Sequence, residues 1–313
     1  MEDDPHKAYL NVASKTRSHA MGIMNQKFAQ SFSRMADDGW MQGWHEANGG
    51  NLSYRLKASE RELAKSQSKN EPWQPLDPSC HVPNLANECF MITAAGSHFR
   101  SMGDSPKRCL GIIEIDSKGT AYRNIWGFKG KGKPTSELPT HLLIHAFKKE
   151  TTNGRSRVVY HAHPSSLIVL SSICGSSAKE LTFRLWESVS EAAIVFPEGI
   201  GLLPWMVPGS IELGIAACKQ MVDHDAVALA NHGLIACGDS FDRAFGLVHT
   251  IEKASEISIK IGQLAPDDAN LITVSDLKKM SKALSLDVDL RGASEIREDK
   301  PFKPSFGTIS VSL

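Results

Sequence analysis

Apolar positions recur along this chain in two rhythms. From about Ser18 to Gly43 they fall three, four or five residues apart, at Met21, Met24, Phe28, Phe32, Met35 and Trp40, which predicts a helix packed on a larger body. After Asn48-Gly49-Gly50-Asn51 the run Leu-Ser-Tyr-Arg-Leu alternates and predicts a strand. Lys57 to Ser79 is charged, carries prolines and has weak periodicity, so it reads as a surface excursion. Cys89 to Thr93 predicts a short strand, and the apolar run from Cys109, interrupted at Ser117–Gly119, a hairpin. Thr135 or Ser136 can cap a helix running through His141 and His145, with Pro139 tolerated in its first turn. Val158-Val159-Tyr160 leads as a strand into His161-Ala162-His163, and Pro164 opens a helix that Ser165 to Ile173 continues. Leu181 to Glu191 reads as a helix, Ala192 to Phe196 as a strand, and Pro208 to Met221 as a helix capped by Ser210. Apolar runs on both sides of Asn231-His232-Gly233 predict a second hairpin, and Ser240 to Leu264 a long amphipathic helix.

Strands and helices interleave throughout, with no internal repeat. The expected fold is therefore one α/β (α+β) domain over residues 18–287, between a flexible extension at 1–17 and a polar tail at 288–313. Thirty-five basic and thirty-five acidic residues cancel, which argues against a nucleic-acid or anionic-membrane partner. No apolar run reaches the length of a membrane span, and the N-terminus lacks the basic and apolar regions of a signal peptide. Six scattered cysteines without a Cys-x-x-Cys pair read as reduced core residues, so a cytoplasmic location is expected.

On a strand, side chains at i and i+2 share a face, so His161 and His163 project together. His232, at the end of another apolar strand, is the best third ligand for a metal site with an open coordination position. Taken alone, such histidines are also ordinary strand-end residues satisfied by backbone or water. His141 and His145, at i and i+4 on a helix, are the runner-up pair. The Asn48–Asn51 turn has backbone N–H groups suited to an anion, and it equally resembles a plain helix-to-strand connection. Ala94-Ala95-Gly96-Ser97 is a second such turn. Lys129-Gly-Lys-Gly-Lys133 reads as a glycine-softened solvent loop in preference to a phosphate grip.

Trp-x-x-x-Asn-Gly-Gly-Asn, Pro-Thr-Ser-Glu-Leu-Pro, His-x-His, Leu-Trp-Glu, the run from Phe196 to Gly209 and His-Gly stand here in family order. Over about residues 20–285 the chain resembles the class II sugar-phosphate aldolases. That resemblance implies a central, mostly antiparallel sheet flanked by helices, and a homotetramer with active sites at subunit borders. It implies one zinc ion per subunit on His161, His163 and His232. Glu137 is the implied proton carrier near the metal, and Glu191 an acidic residue reaching in from a neighbouring subunit. Asn48, Gly50, Asn51, Ser136 and the turn at Gly96 are the implied phosphate anchors. Ala95 stands where the family pattern has a serine; the favoured reading is that the backbone N–H groups of Ala95 and Gly96 serve instead, and the alternative is a substrate with a different terminal group. The implied reaction is reversible aldol cleavage of a ketose-1-phosphate, in which a Lewis acid chelating adjacent oxygens stabilises an enediolate without a Schiff base. A sugar-phosphate epimerase or dehydratase on the same scaffold is the alternative, and a non-catalytic interaction module a more distant one.

Overall fold

A computed structural model of the chain describes residues 22–68, 71–130, 132–174, 177–264 and 269–291. The expected N-terminal extension, most of the expected tail and Lys131 of the basic loop lie outside those residues. Two compact units divide the chain. The first takes the described residues up to Val159 together with Asp239–Asp242. Its amphipathic helix α1 (Lys27–Met41) starts after Gln26, whose extended backbone breaks the period anticipated further upstream. Phe28, Phe32 and Met35 are buried, whereas Trp40 is exposed, so the apolar stripe stops short of the helix end. Phe28 stacks on Tyr54 and Phe32 meets Phe241 edge-on, with ring centroids 6.2 and 6.1 Å apart.

Strand β1 (Asn51–Arg55) follows. The supposed surface excursion after it contains helix α2 (Ala58–Ser66) and the short strand β2 (Gln74–Pro75). Glu60 explains the helix: its carboxylate accepts the Lys57 N–H at 2.7 Å and the Tyr54 hydroxyl at 2.9 Å, anchoring a first turn with little apolar periodicity. Strands β3 (Cys89–Thr93), β4 (Leu110–Ile115) and β5 (Ala121–Gly127) form an antiparallel meander, and β1 pairs antiparallel with β3 through Ser53 and Ile92. The β4–β5 turn sits where Ser117–Gly119 predicted it. Helix α3 (Leu138–Thr151) and strand β6 (Val158–Ala162) come next.

The second unit takes Tyr160–Gly238 and the described residues from Arg243 onward. It contains helices α4 (Ser165–Ile173), α5 (Ala178–Ser188) and α6 (Ser190–Val195), strand β7 (Gly201–Leu203) and helix α7 (Ile211–Gln220). Strands β8 (Ala226–Leu229) and β9 (Gly233–Gly238) then form the expected hairpin, followed by α8 (Phe241–Leu264) and α9 (Val274–Leu284). The strand expected at Ala192–Phe196 is instead the short helix α6. Val189 is extended and ends α5, and a five-residue apolar run has no period of its own to separate strand from helix. β7 was too short to stand out, yet it pairs parallel with β8 from Gly201 opposite Val227. Among the described residues, the strands of the first unit are ordered β2-β5-β4-β3-β1 and those of the second β9-β8-β7, and the pairing is mostly antiparallel.

None of the six cysteines, all among the described residues, is in a disulfide, and five are buried. Burial pushes the thiols of Cys80 and Cys89 up to about 12 and that of Cys174 to about 11, so they stay protonated and unreactive. Among the described residues no helix is long and apolar enough to cross a membrane.

Gly119 shows how tightly the β4–β5 turn is specified. Its φ is +72°, and a Cβ there would lie 2.4 Å from the Val82 carbonyl oxygen. Gly119→Ala is expected to cost about 1–3 kcal/mol in denaturant unfolding, whereas Lys118→Ala, at the exposed neighbouring position, should be close to neutral.

Candidate active site

His161 is the penultimate residue of β6 and is buried, His163 lies just past the strand end, and His232 occupies the β8–β9 turn. The Nε2 atoms of His163 and His232 each stand 3.2 Å from His161 Nε2. His161 Nδ1 lies 3.0 Å from the Leu234 carbonyl oxygen, which can only accept, so the proton of the neutral ring sits on Nδ1. Nε2 therefore presents a bare lone pair. One lone pair takes one good hydrogen bond, yet two ring nitrogens are directed at it; a cation bound by all three uses every lone pair. With zinc–nitrogen bonds of about 2.0–2.1 Å, tetrahedral coordination sets ligand nitrogens roughly 3.3 Å apart. The triad therefore fits a divalent metal ion. Burial, then His163 and His232 nearby, holds His161 well below the usual histidine range despite the Leu234 contact, which keeps it neutral.

Two residues outside the expected ligand set shape this centre. Gly233 packs so closely that a Cβ would fall 2.4 Å from the Ala162 carbonyl oxygen and 2.9 Å from His163 Cδ2. The glycine of His-Gly is thus a steric requirement, legible in the sequence only as a turn residue. Pro164 supplies no side-chain cap to α4, and Glu252 of α8 does so instead, accepting the Ser166 and Leu167 N–H groups at 3.0 and 2.9 Å. Nothing in the local sequence connects Glu252 with the His163 segment.

The expected anion-binding turns all lie in the first unit, held together around Thr93. Its hydroxyl accepts the Leu52 N–H at 3.2 Å and its carbonyl accepts the Thr135 N–H at 3.0 Å. That ties the turn entering β1 to the turn entering α3. Asn48 is exposed, Gly50 has φ +74°, and Asn51 is buried. His45, stacked on Phe99 at 3.8 Å, places Nδ1 3.1 Å from the Gly49 carbonyl and fixes the glycine turn from beneath. Ser136 is exposed, and Glu137 is buried at the N-cap of α3. Gly96 adopts φ +68°. The Ala95 N–H, expected to help hold an anion, instead donates to the Lys133 carbonyl at 2.9 Å, so that turn offers less than anticipated. Glu191 is exposed in the first turn of α6.

His141 and His145, the runner-up pair, are engaged by protein partners. Both are buried against Ser53, whose Oγ lies 2.6 Å from His141 Nδ1 and 2.8 Å from His145 Nε2, and His141 Nε2 contacts Asn51 Oδ1. A helical i, i+4 spacing put the two rings on one face, but the partner across that face is a strand serine. Among the described residues, His161, His163 and His232 are the group placed to hold a metal ion.

A mostly antiparallel sheet flanked by helices, with a three-histidine centre at strand ends, defines a metal-dependent class of α/β enzyme. The chain belongs to the class II aldolase and adducin N-terminal domain family, which matches residues 28–259. It is 38% identical over 239 residues to the rhamnulose-1-phosphate aldolase of Enterobacter sp. (strain 638), covering 76% of this chain and 86% of that one. Against the rhamnulose-1-phosphate aldolase of Escherichia coli O157:H7 (strain EC4115 / EHEC) the identity is 39% over 240 residues, covering 76% and 87%. The crystal structure of a sugar-phosphate aldolase from Thermotoga maritima superimposes with a TM-score of 0.63 at 28% identity, covering 75% of this chain and 94% of that one.

Metal content after dialysis tests the ligand set. His163→Ala and Gly233→Ala should lose bound divalent metal, while His141→Ala should retain it at the wild-type level. Acid sensitivity tests the buried network. Burial, then His141, Arg55 and Arg157, hold His145 well below its ordinary 6.5. The unfolded ring thus binds protons that the folded one refuses, so its share of stability is full above pH 6.5 and falls as pH drops below it. His145→Gln should flatten the loss of denaturant stability between about pH 6.5 and 5.

Proposed function

We propose that the chain catalyses reversible aldol cleavage of L-rhamnulose 1-phosphate to dihydroxyacetone phosphate and L-lactaldehyde, as a cytoplasmic homotetramer with zinc as its metal. The observation that carries this reading is the convergence of three imidazole Nε2 atoms, in a chain 38–39% identical to rhamnulose-1-phosphate aldolases over three quarters of its length. The Leu203-Pro-Trp-Met-Val-Pro-Gly209 run supports the rhamnulose specificity within the family.

His161, His163 and His232 hold the ion as neutral rings, which leaves its positive charge undiminished. When bound, it supplies Lewis-acid stabilisation of negative charge developing on adjacent substrate oxygens. The protein's own groups do the rest. Glu137 and Glu191 divide the proton transfers: one proton leaves the hydroxyl whose carbonyl forms, and another reaches the carbon left behind. Glu191, exposed on α6, acts in the site of a neighbouring copy. Asn48, Gly50, Asn51, Gly96 and Ser136 hold the phosphate, and binding energy gathered there is used for positioning at the breaking bond.

Dihydroxyacetone phosphate release from a panel of ketose-1-phosphates tests the assignment. L-Rhamnulose 1-phosphate should be the best substrate, chelation should abolish turnover, and zinc should restore it. Full activity of a metal-free preparation would sink the reading. Glu137→Gln should bind substrate and lose roughly two to four orders of magnitude in rate. A loss below about tenfold would remove Glu137 from proton transfer. Ala95→Ser restores a donor at the phosphate turn and should lower KM by up to about tenfold, with kcat barely changed.

A further inference from the structure

Four buried side chains of the first unit form one continuous polar chain. His145 is 1% exposed, Ser53 0%, His141 2% and Asn51 5%. Ser53 Oγ lies 2.8 Å from His145 Nε2 and 2.6 Å from His141 Nδ1, and His141 Nε2 reaches the side-chain amide of Asn51. A hydroxyl has a single proton, so Ser53 can donate to one ring and must accept from the other. Each neutral ring likewise has one protonated and one bare nitrogen. With both rings neutral, the whole chain therefore runs in one of two directions.

In the first, His145 Nε2–H donates to Ser53 Oγ, the Ser53 hydroxyl donates to His141 Nδ1, and His141 Nε2–H donates to Asn51 Oδ1. In the second, every proton is reversed. His141 Nε2 is then bare and takes an N–H from Asn51, so the amide must present its oxygen at the free end. The structure has Asn51 Oδ1 against His141 Nε2, which is the first direction. Nδ2 and its two N–H groups are then the end turned away from the ring.

The two directions have opposite consequences for an anion. Amide N–H groups attract a phosphate oxygen, whereas an amide oxygen repels it. Asn51 stands at the start of β1, directly after the glycine turn proposed as a phosphate anchor. Burial, then His141, Arg55 and Arg157, keep His145 neutral and hence a donor of a single proton at each moment. In a low-dielectric interior a reversed link leaves a neighbour unsatisfied, so the chain holds its direction as a unit.

We propose that Ser53, His141 and His145 are positioning residues for phosphate binding: their buried hydrogen-bond chain fixes the rotamer of the Asn51 amide so that it offers N–H groups to the substrate phosphate. This rests on the reading of Asn51 as a phosphate anchor. None of the three touches substrate; they act through Asn51.

The test uses steady-state kinetics on the full chain, with competitive inhibition by inorganic phosphate as a second readout. Ser53→Ala should raise KM for the ketose-1-phosphate and the phosphate inhibition constant by about tenfold, the range expected for losing one charge-assisted hydrogen bond. Its kcat at saturation and metal content should stay near wild type. Ser53→Thr keeps the hydroxyl and should restore phosphate binding, which a purely structural role for the serine's size would not produce. Asn51→Ala should weaken phosphate to a similar extent, and adding Ser53→Ala to it should cost nothing further. His145→Phe, a ring replacement beside Phe90, removes the terminal donor and serves should Ser53→Ala fail to fold; it should give a smaller loss of the same kind. If Asn51→Ala leaves phosphate inhibition unchanged, the anchor reading fails and the proposal with it. If Asn51→Ala weakens phosphate while folded Ser53→Ala or His145→Phe matches wild type, the anchor stands and the positioning chain is overturned. Additive losses in the Asn51→Ala/Ser53→Ala double variant would overturn it as well.

Discussion

The hydrogen bond from His161 Nδ1 to the Leu234 carbonyl commits the proton of a buried, neutral ring to the backbone, and so turns a bare nitrogen towards His163 and His232. The bond depends on strand register. Leu234 lies opposite Ala228 in the β8–β9 hairpin, and Gly233 opposite Leu229. A slip of one residue would carry the Leu234 carbonyl to the other side of the strand and bring a different side chain against His161. The missing Cβ of Gly233 is the second half of the same constraint, because it lets the hairpin approach the Ala162 carbonyl. Ligand geometry here is a property of backbone placement more than of the histidines themselves.

The first unit follows a related logic with different groups. Thr93 joins two turns by accepting one N–H on its hydroxyl and another on its carbonyl, while His45 holds the glycine turn through ring stacking and one contact to Gly49. Thr93 in the first unit and His161 in the second thus sit at or next to strand ends, where the regular ladder stops and turns need partners.

Much of this was legible in the sequence. The His-x-His spacing and the Asn-His-Gly break placed three imidazoles at strand ends, and the structure brings them to one point. Long periodic segments such as α1 and α8 were recovered because many residues repeat the same signal. Short segments failed for the opposite reason. Ala192–Phe196 is apolar without a period, and α2 depends on Glu60 bonding to Lys57 and Tyr54, a cap that composition hides behind charge. His141 and His145 stood only as a runner-up pair, because helical spacing reveals a shared face but not what faces it; Ser53 lies 88 and 92 residues away. Glu252 and the committed N–H of Ala95 belong to the same class of long-range or backbone contacts.

The separation of the three candidate ligands along the chain also bears on when they can meet. His161 and His232 are 71 residues apart, and their meeting requires β9 to be placed beside the end of β6. Closing so long a segment costs entropy before any contact repays it, and pairings of this kind form late. A nascent chain that has emerged only as far as Pro164 therefore offers an ion two adjacent imidazoles and no third. A divalent ion would therefore meet its full set of ligands only after topological closure, and an incomplete chain would hold it less well.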